Sequence, residues 1–438
     1  MGAPLRLNLF QRAMLRWRDL HPYNPVHVIC VPTALEPARL RACIAERLEQ
    51  IGLAGLAVDR SRRRVRYRSG PVAVDLTVVD AEGDASAALC RLIEREFNRP
   101  FVADRVENPI RFFAIDEGNA FRLALVYDHF VASGDSIARL LTAIASCAGM
   151  PQRTWPPLVL QHAPATYRNL LLRHPLWALR AALALPRMIA GARRAYRPRY
   201  ADVEDGANAY RELRIDAPQA AALRAAAKAW DVTLNELLMA AMLLALSPHA
   251  LDRRREPRRS ELALASILNM RRDFGPDAQD ALNPFLAAFR VSHAVPDGMA
   301  LSELALEVHA QAARVKRGHL YLQSLIALGV SALLWPMLSL RRRHAFFPKY
   351  FAVWAGITSL DVDALWARSA DAGCEGLDYL RAVPTGPLCP VVFAVTAARG
   401  ALNVGIAYRT AAFSRPALER LAADFMRAIA SARAESGA

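Results

Sequence analysis

A histidine stands where an apolar run ends. The stretch Phe-Arg-Leu-Ala-Leu-Val-Tyr (121–127) is followed by Asp128-His129-Phe130-Val131-Ala132-Ser133-Gly134-Asp135-Ser136, and then by a helix-like pattern. A neutral imidazole is well suited to taking a proton from a hydroxyl or amine near neutral pH. Gly134 has no Cβ, so backbone and a substrate can approach closely there. Backbone N–H groups at a helix start can hydrogen-bond a developing oxyanion. His129 and Gly134 are therefore the candidate catalytic pair, and acyl transfer is the chemistry they suit. The plain alternative is a turn that holds a structural histidine. The other histidines (His21, His27, His162, His174, His249, His293, His309, His319 and His344) form no HxxxH or HExxH ligand pattern and read as surface or core residues, so no metal is expected.

These residues need elements to position them. Phe121, Leu123, Leu125, Tyr127 and His129 fall on one face of a strand by the two-residue period. Ile137, Leu140, Leu141, Ile144 and Ala148 form one stripe of a helix that stops at Gly149 and that Ser133 or Asp135 can cap. Upstream, residues 26–31 and 72–80 read as strands, 36–51 as a helix, and 109–130 as two strands joined by a Glu117-Gly118-Asn119 turn. A second α/β pattern opens near residue 209. Its helix 231–246 starts with the capping box Thr233-x-x-Glu236, and a helix from about Pro416 to Ala434 closes the chain.

With 438 residues and 54% hydrophobic composition, two lobes are expected, each a mixed sheet with helices. The expected division is an N-terminal lobe over 1–150, a crossover over 151–205 and a C-terminal lobe over 206–438. Six scattered cysteines (Cys30, Cys43, Cys90, Cys147, Cys374 and Cys389) include no CxxC pair and read as reduced small hydrophobes. The amphipathic, basic start lacks an uninterrupted apolar signal core, so a cytoplasmic setting is expected.

Several stretches resemble the two-lobed acyltransferases of the chloramphenicol-acetyltransferase-like superfamily, which includes the condensation domains of peptide synthetases. The family motif is H-H-x-x-x-D-G, often with a later serine. Here His129, Gly134 and Ser136 match it, while Asp128 replaces the first histidine and Ser133 the aspartate. "AKAWDVTLNELLMAAMLLAL" resembles the family's G-x-T-x-N helix, "SILNMRR" the strand carrying its arginine, aligned to Arg271, and residues 393–425 its closing hairpin and helix. The resemblance implies an active site between lobes and His129 as base. It also implies a donor thioester of acyl-CoA or of a phosphopantetheine-bearing acyl carrier protein, with no bound cofactor. In the family the motif aspartate pairs with the arginine; here either Asp135 or Asp128 takes over from Ser133 or the loop is reorganised, and Asn269 beside Arg271 can line the cleft. A free-standing condensation domain making amides, or a degenerate non-catalytic member, would share these features.

The net charge of +15 is regional. Residues 151–200 hold nine arginines and no acid; residues 308–360 hold seven Lys or Arg and no acid; together they account for the excess. Arg173, Arg180, Arg187 and Arg194 recur every seven residues, a spacing that drifts only ~20° per heptad on a helix. Basic residues set among strongly aliphatic ones point less to nucleic acid than to an anionic membrane surface or an acidic carrier protein. The uncharged residues 320–340 are expected to form a buried or interfacial helix rather than a span.

Overall fold

The computed structural model describes residues 2, 4–81, 83–101, 108–149, 158–160, 166–294, 296–367 and 377–435. Cys374 and His162 lie outside the described residues.

The first lobe is built on a five-stranded sheet. Its order is Tyr379–Ala382, Val26–Val31, Phe121–Tyr127, Ile110–Asp116, Leu76–Asp80. The strand 121–127 is sandwiched. Phe121, Leu123, Leu125 and Tyr127 enter the main apolar cluster, while Ala124 and Val126 enter another with the helix Ala85–Asn98. That alternation is the two-residue period at work. The expected strand 72–80 is shorter, Leu76–Asp80. A smaller sheet joins Leu5–Arg6, Arg64–Arg68 and Gly55–Asp59.

The second lobe holds six strands in the order Leu286–His293, Leu262–Asn269, Ala355–Asp361, Val391–Ala398, Ala401–Arg409, Asn208–Ile215. Helix Leu234–Leu246 is almost wholly buried behind it and begins with the reciprocal Thr233–Glu236 capping box. The closing helix runs Arg415–Glu435.

The lobes are not sequential blocks. The strand Tyr379–Ala382, far along the second half, pairs antiparallel with Val26–Val31, placing Arg381 opposite His27. Its backbone also lies on Gly405: a Cβ there would stand 2.1 Å from the Arg381 carbonyl oxygen. Gly405 is thus a close-approach glycine, the use to which a missing Cβ lends itself in a strand.

Two sequence expectations are corrected. Cys43 and Cys147 form a disulfide, Cα–Cα 5.7 Å, tying the helix Pro37–Gln50 to the helix Gly134–Cys147. Its partners are 104 residues apart, so no local spacing announced it. The arginine stretch does not run along a single helix. It breaks into Tyr167–Arg173, Pro175–Leu183 and Leu185–Arg194, with a proline in the first turn of each of the last two, where the missing N–H costs nothing.

Gly405→Ala should lower stability by about 1–3 kcal/mol or more, from the usual size of core overpacking. Urea unfolding checks this; a loss below about 1 kcal/mol would mean that the strand 379–382 can shift freely.

Candidate active site

Asp128 and His129 follow directly on the strand Phe121–Tyr127. His129 N–H donates to Tyr23 O at 3.2 Å and Val131 N–H to Asp128 O at 3.0 Å, so the chain turns at once. The motif helix Gly134–Cys147 then starts, with Ile137, Leu140, Leu141 and Ile144 buried as the stripe requires. Ser133 occupies the N-cap position but does not cap with its side chain. Its Oγ donates instead to Asp135 Oδ1 at 2.5 Å.

His129 is 9% exposed. Its Nδ1 stands 3.4 Å from the Ala132 carbonyl. A carbonyl only accepts, so Nδ1 carries the proton and Nε2 is left as the basic atom. The ring packs against Tyr23 and Tyr127, centroids 5.0 and 5.7 Å away. Burial pushes its pKa down to about 4, and the Arg381 charge pushes the same way. The imidazole is therefore neutral at neutral pH.

Arg271 holds the loop. Its guanidinium is 1% exposed. Nε lies 2.9 Å from Asp135 Oδ2. Nη2 donates to Ser133 Oγ at 2.5 Å and Ser136 Oγ at 2.7 Å, and Nη1 to the carbonyls of Ala278 and Ala281 at 2.7 and 2.5 Å. Of the two acids the sequence offered, Asp135 is the partner. Asp128 pairs with Arg18 of the helix Leu9–Arg18 instead. Asn269 reaches the same cluster: Nδ2 donates to Asp135 Oδ2 at 3.3 Å, and Oδ1 accepts from Arg271 N–H at 3.0 Å.

Two groups were missed. His27, read from sequence as ordinary, is fully buried, with Nδ1 2.8 Å from Tyr379 Oη and Nε2 without a partner among the described residues. Arg381 is 4% exposed. Its Nε donates to Thr396 Oγ1 at 3.1 Å, and Nη2 to the carbonyls of Thr358 and Val395 at 2.9 and 2.8 Å. A Cβ on Gly134 would meet Arg381 Nη1 at 3.2 Å and His27 Cε1 at 3.6 Å. The space freed at Gly134 thus faces a cation and a second imidazole. Only the antiparallel pairing of strands 354 residues apart brings them there, and no sequence period could signal it.

The second lobe also contributes Asn235. It donates to Ser266 Oγ at 3.3 Å and accepts from Ser359 Oγ at 2.8 Å, stitching its helix to two strands. Of the four heptad arginines, Arg194 pairs with Glu261 at 2.5 Å, while Arg173, Arg180 and Arg187 lie exposed on their helices. Among the described residues no group of three or more His, Cys, Asp or Glu is placed to hold a metal ion.

Solved structures share this architecture from end to end. The first condensation domain of the calcium-dependent antibiotic synthetase, solved with a substrate analogue, superposes with a TM-score of 0.70 at 16% identity, covering 100% of this chain and 98% of that one. The chain has the condensation-domain fold. The epimerization domain from the third module of tyrocidine synthetase B matches with a TM-score of 0.65 at 12% identity, over 100% of this chain and 97% of that one. Against the nonribosomal peptide synthetase FmoA3 the TM-score is 0.66 at 19% identity, over 99% of this chain and 43% of the longer protein. No family model matches the chain, and no curated protein does. In this chain the acid that meets Arg271 is Asp135, two residues after Ser133.

That relocation is testable. Ser133→Asp puts a second carboxylate beside Asp135 in a 2%-exposed position, and Asp135→Asn leaves the buried guanidinium without its acid. Each should destabilise, the latter by about 3–5 kcal/mol. The double variant, with the acid at 133 alone, should recover most of the loss; additive losses in thermal unfolding would refute the one-acid requirement.

The His129 titration has a sign. Its folded pKa lies below the ordinary histidine value near 6.5, so the unfolded chain binds a proton that the folded one does not. The stability this group contributes is complete above about 6.5 and is lost as pH falls towards 4. Histidine-selective NMR should find His129 titrating near 4 in the wild type and higher in Arg381→Met; a midpoint near 6.5 would mean that water reaches the ring.

Proposed function

We propose that the chain is an acyl-transferring enzyme of condensation type. The donor is an acyl thioester on the phosphopantetheine arm of an acyl carrier protein, with acyl-CoA as the other source of the same thioester; the acceptor is an amine or a hydroxyl. The supporting observation is the state of His129: a neutral ring on a loop clamped by Arg271, with Nδ1 committed to the Ala132 carbonyl and Nε2 free to accept.

The residues would work as follows. Nε2 of His129 takes the acceptor's N–H or O–H proton as that atom attacks the thioester carbonyl carbon. The new C–N or C–O bond forms and the C–S bond breaks. The proton returns from the imidazolium to the departing thiolate, so His129 ends neutral. A base of low pKa is always in its accepting form, at the expense of driving force for the transfer. Substrate closing over the ring must supply the rest through orientation. Amide formation is the favoured outcome, because the likeness is to condensation domains along their whole length. The work is assigned to the cytoplasm, as the sequence suggested, and the basic helices of residues 166–194 to docking.

His129→Ala should cut turnover at least ~100-fold without unfolding the protein, the usual worth of a general base. Intact-mass analysis of products from a panel of carrier-held and CoA acyl thioesters, with amine and alcohol acceptors, gives the readout. Full turnover by the variant would remove His129 as base. A wild type inert on every pair would leave a binding protein of this fold.

A further inference from the structure

Ten of the fifteen large hydrophobic residues that lie exposed among the described residues belong to two short regions, 172–189 and 330–340. Such crowding is not the scattered exposure that every surface shows. In the helix Pro175–Leu183 the exposed residues are Leu176, Leu179 and Leu183, at 65%, 54% and 72%. In the helix Leu322–Leu334 and the turn after it they are Val330, Leu333, Leu334 and Met337, at 52%, 77%, 44% and 79%. The first set has the spacing i, i+3, i+7 and the second i, i+3, i+4, i+7, which keeps each on one side of its helix.

The two helices are neighbours. Gln323 Nε2 donates to Ala181 O at 3.2 Å. Trp177 is stacked between His174 and His319, centroids 3.8 and 3.6 Å away. Their inner sides are used: Ala181, Leu325, Leu328 and Trp335 are buried. Outside, the surface charge has one sign. Arg173, Arg180, Arg187, Arg341 and Arg342 are exposed, and neither sequence region contains an acid. Arg173, Arg180 and Arg187 make no ion pair among the described residues, and the pair between Arg341 and Glu204 is long, 3.9 Å.

We propose that this face docks on an anionic lipid surface. The paired helices would lie in the plane of the interface, with leucines inserted and arginines at the level of the anionic headgroups. The helix 322–334 is too short to span a bilayer, with 13 residues against the roughly 20 needed, and its Leu322, Leu325, Leu328 and Ser331 are already packed inward. A second copy of the chain is a poor occupant: a self-complementary pairing of this face would set the same unpaired arginines against each other. The proposal stands apart from the assignment of His129.

The test uses the full chain and vesicles of phosphatidylcholine, alone or mixed with phosphatidylglycerol. The protein should sediment with the mixed vesicles and not with the neutral ones, and salt should weaken the binding. Each of Arg173→Gln, Arg180→Gln and Arg187→Gln should weaken it about fivefold, the worth of one charge near such a surface. Leu179→Ser with Leu333→Ser should release the protein even at low salt. These side chains are exposed, so unchanged thermal unfolding confirms that the variants are folded. Failure to sediment with mixed vesicles, equal binding to neutral ones, or indifference to both sets of substitutions would overturn the proposal. So would a wild type that is dimeric in solution and made monomeric by Leu179→Ser, which would identify a second copy as the occupant. Turnover enters none of these measurements, so their failure leaves the acyl-transfer assignment untouched.

Discussion

The Arg271 guanidinium is out of water and has to be satisfied where it lies. A buried charge stripped of partners costs several kcal/mol, and here the surrounding chain is shaped to prevent that. The carbonyls of Ala278 and Ala281 turn inward to it, as do the hydroxyls of Ser133 and Ser136 and the carboxylate of Asp135. The first turn of the motif helix is thereby fixed to the second lobe, and with it the loop that aims His129. One cation needs one anion, and the helix can present it from either of two positions near its start. Ser133 can therefore be a serine while Asp135 supplies the anion.

Arg381 poses the opposite problem. It is as deeply buried, yet among the described residues it has hydroxyl and carbonyl partners and no carboxylate. Burial lowers its pKa to about 10, which leaves it charged at neutral pH. A cation held this way disfavours protonation of His27 and His129, and both are pushed towards the neutral form. The positive charge of the site is concentrated on the guanidinium, and the imidazoles are kept as acceptors or neutral donors. Local electrostatics and burial together set the protonation states of the site.

What the sequence disclosed was local. The alternation of 121–127, the stripe from Ile137 to Ala148 and the Thr233–Glu236 box are written in neighbouring residues, and each appears in the structure. The contacts that complete the site are long-range. His27 reads as one residue of a short apolar strand, and Arg381 as one charge among many, until their strands pair. The Cys43–Cys147 bridge is hidden for the same reason. Even a local rule misled where a second one intervened. The seven-residue arginine period is real, but Pro175 and Pro186 start new helices within it, and Arg194 is taken by Glu261.

The placement of Tyr379–Ala382 beside Val26–Val31 bears on how the molecule comes into being. Synthesis proceeds from the N-terminus, so the strand 26–31 leaves the ribosome some 350 residues before its neighbour exists. Until then it is an edge, with a row of unpaired N–H and C=O groups and apolar side chains on both faces. Loop closure over such a distance is slow compared with hairpin formation. The first lobe therefore cannot finish as a separate folding unit, and its sheet is sealed only when the second lobe delivers Arg381. The last strand to join the first sheet is also the one that brings the buried cation to His27 and Gly134. The nascent chain is thus exposed to edge-to-edge aggregation for as long as the His27–Gly134–Arg381 cluster is incomplete.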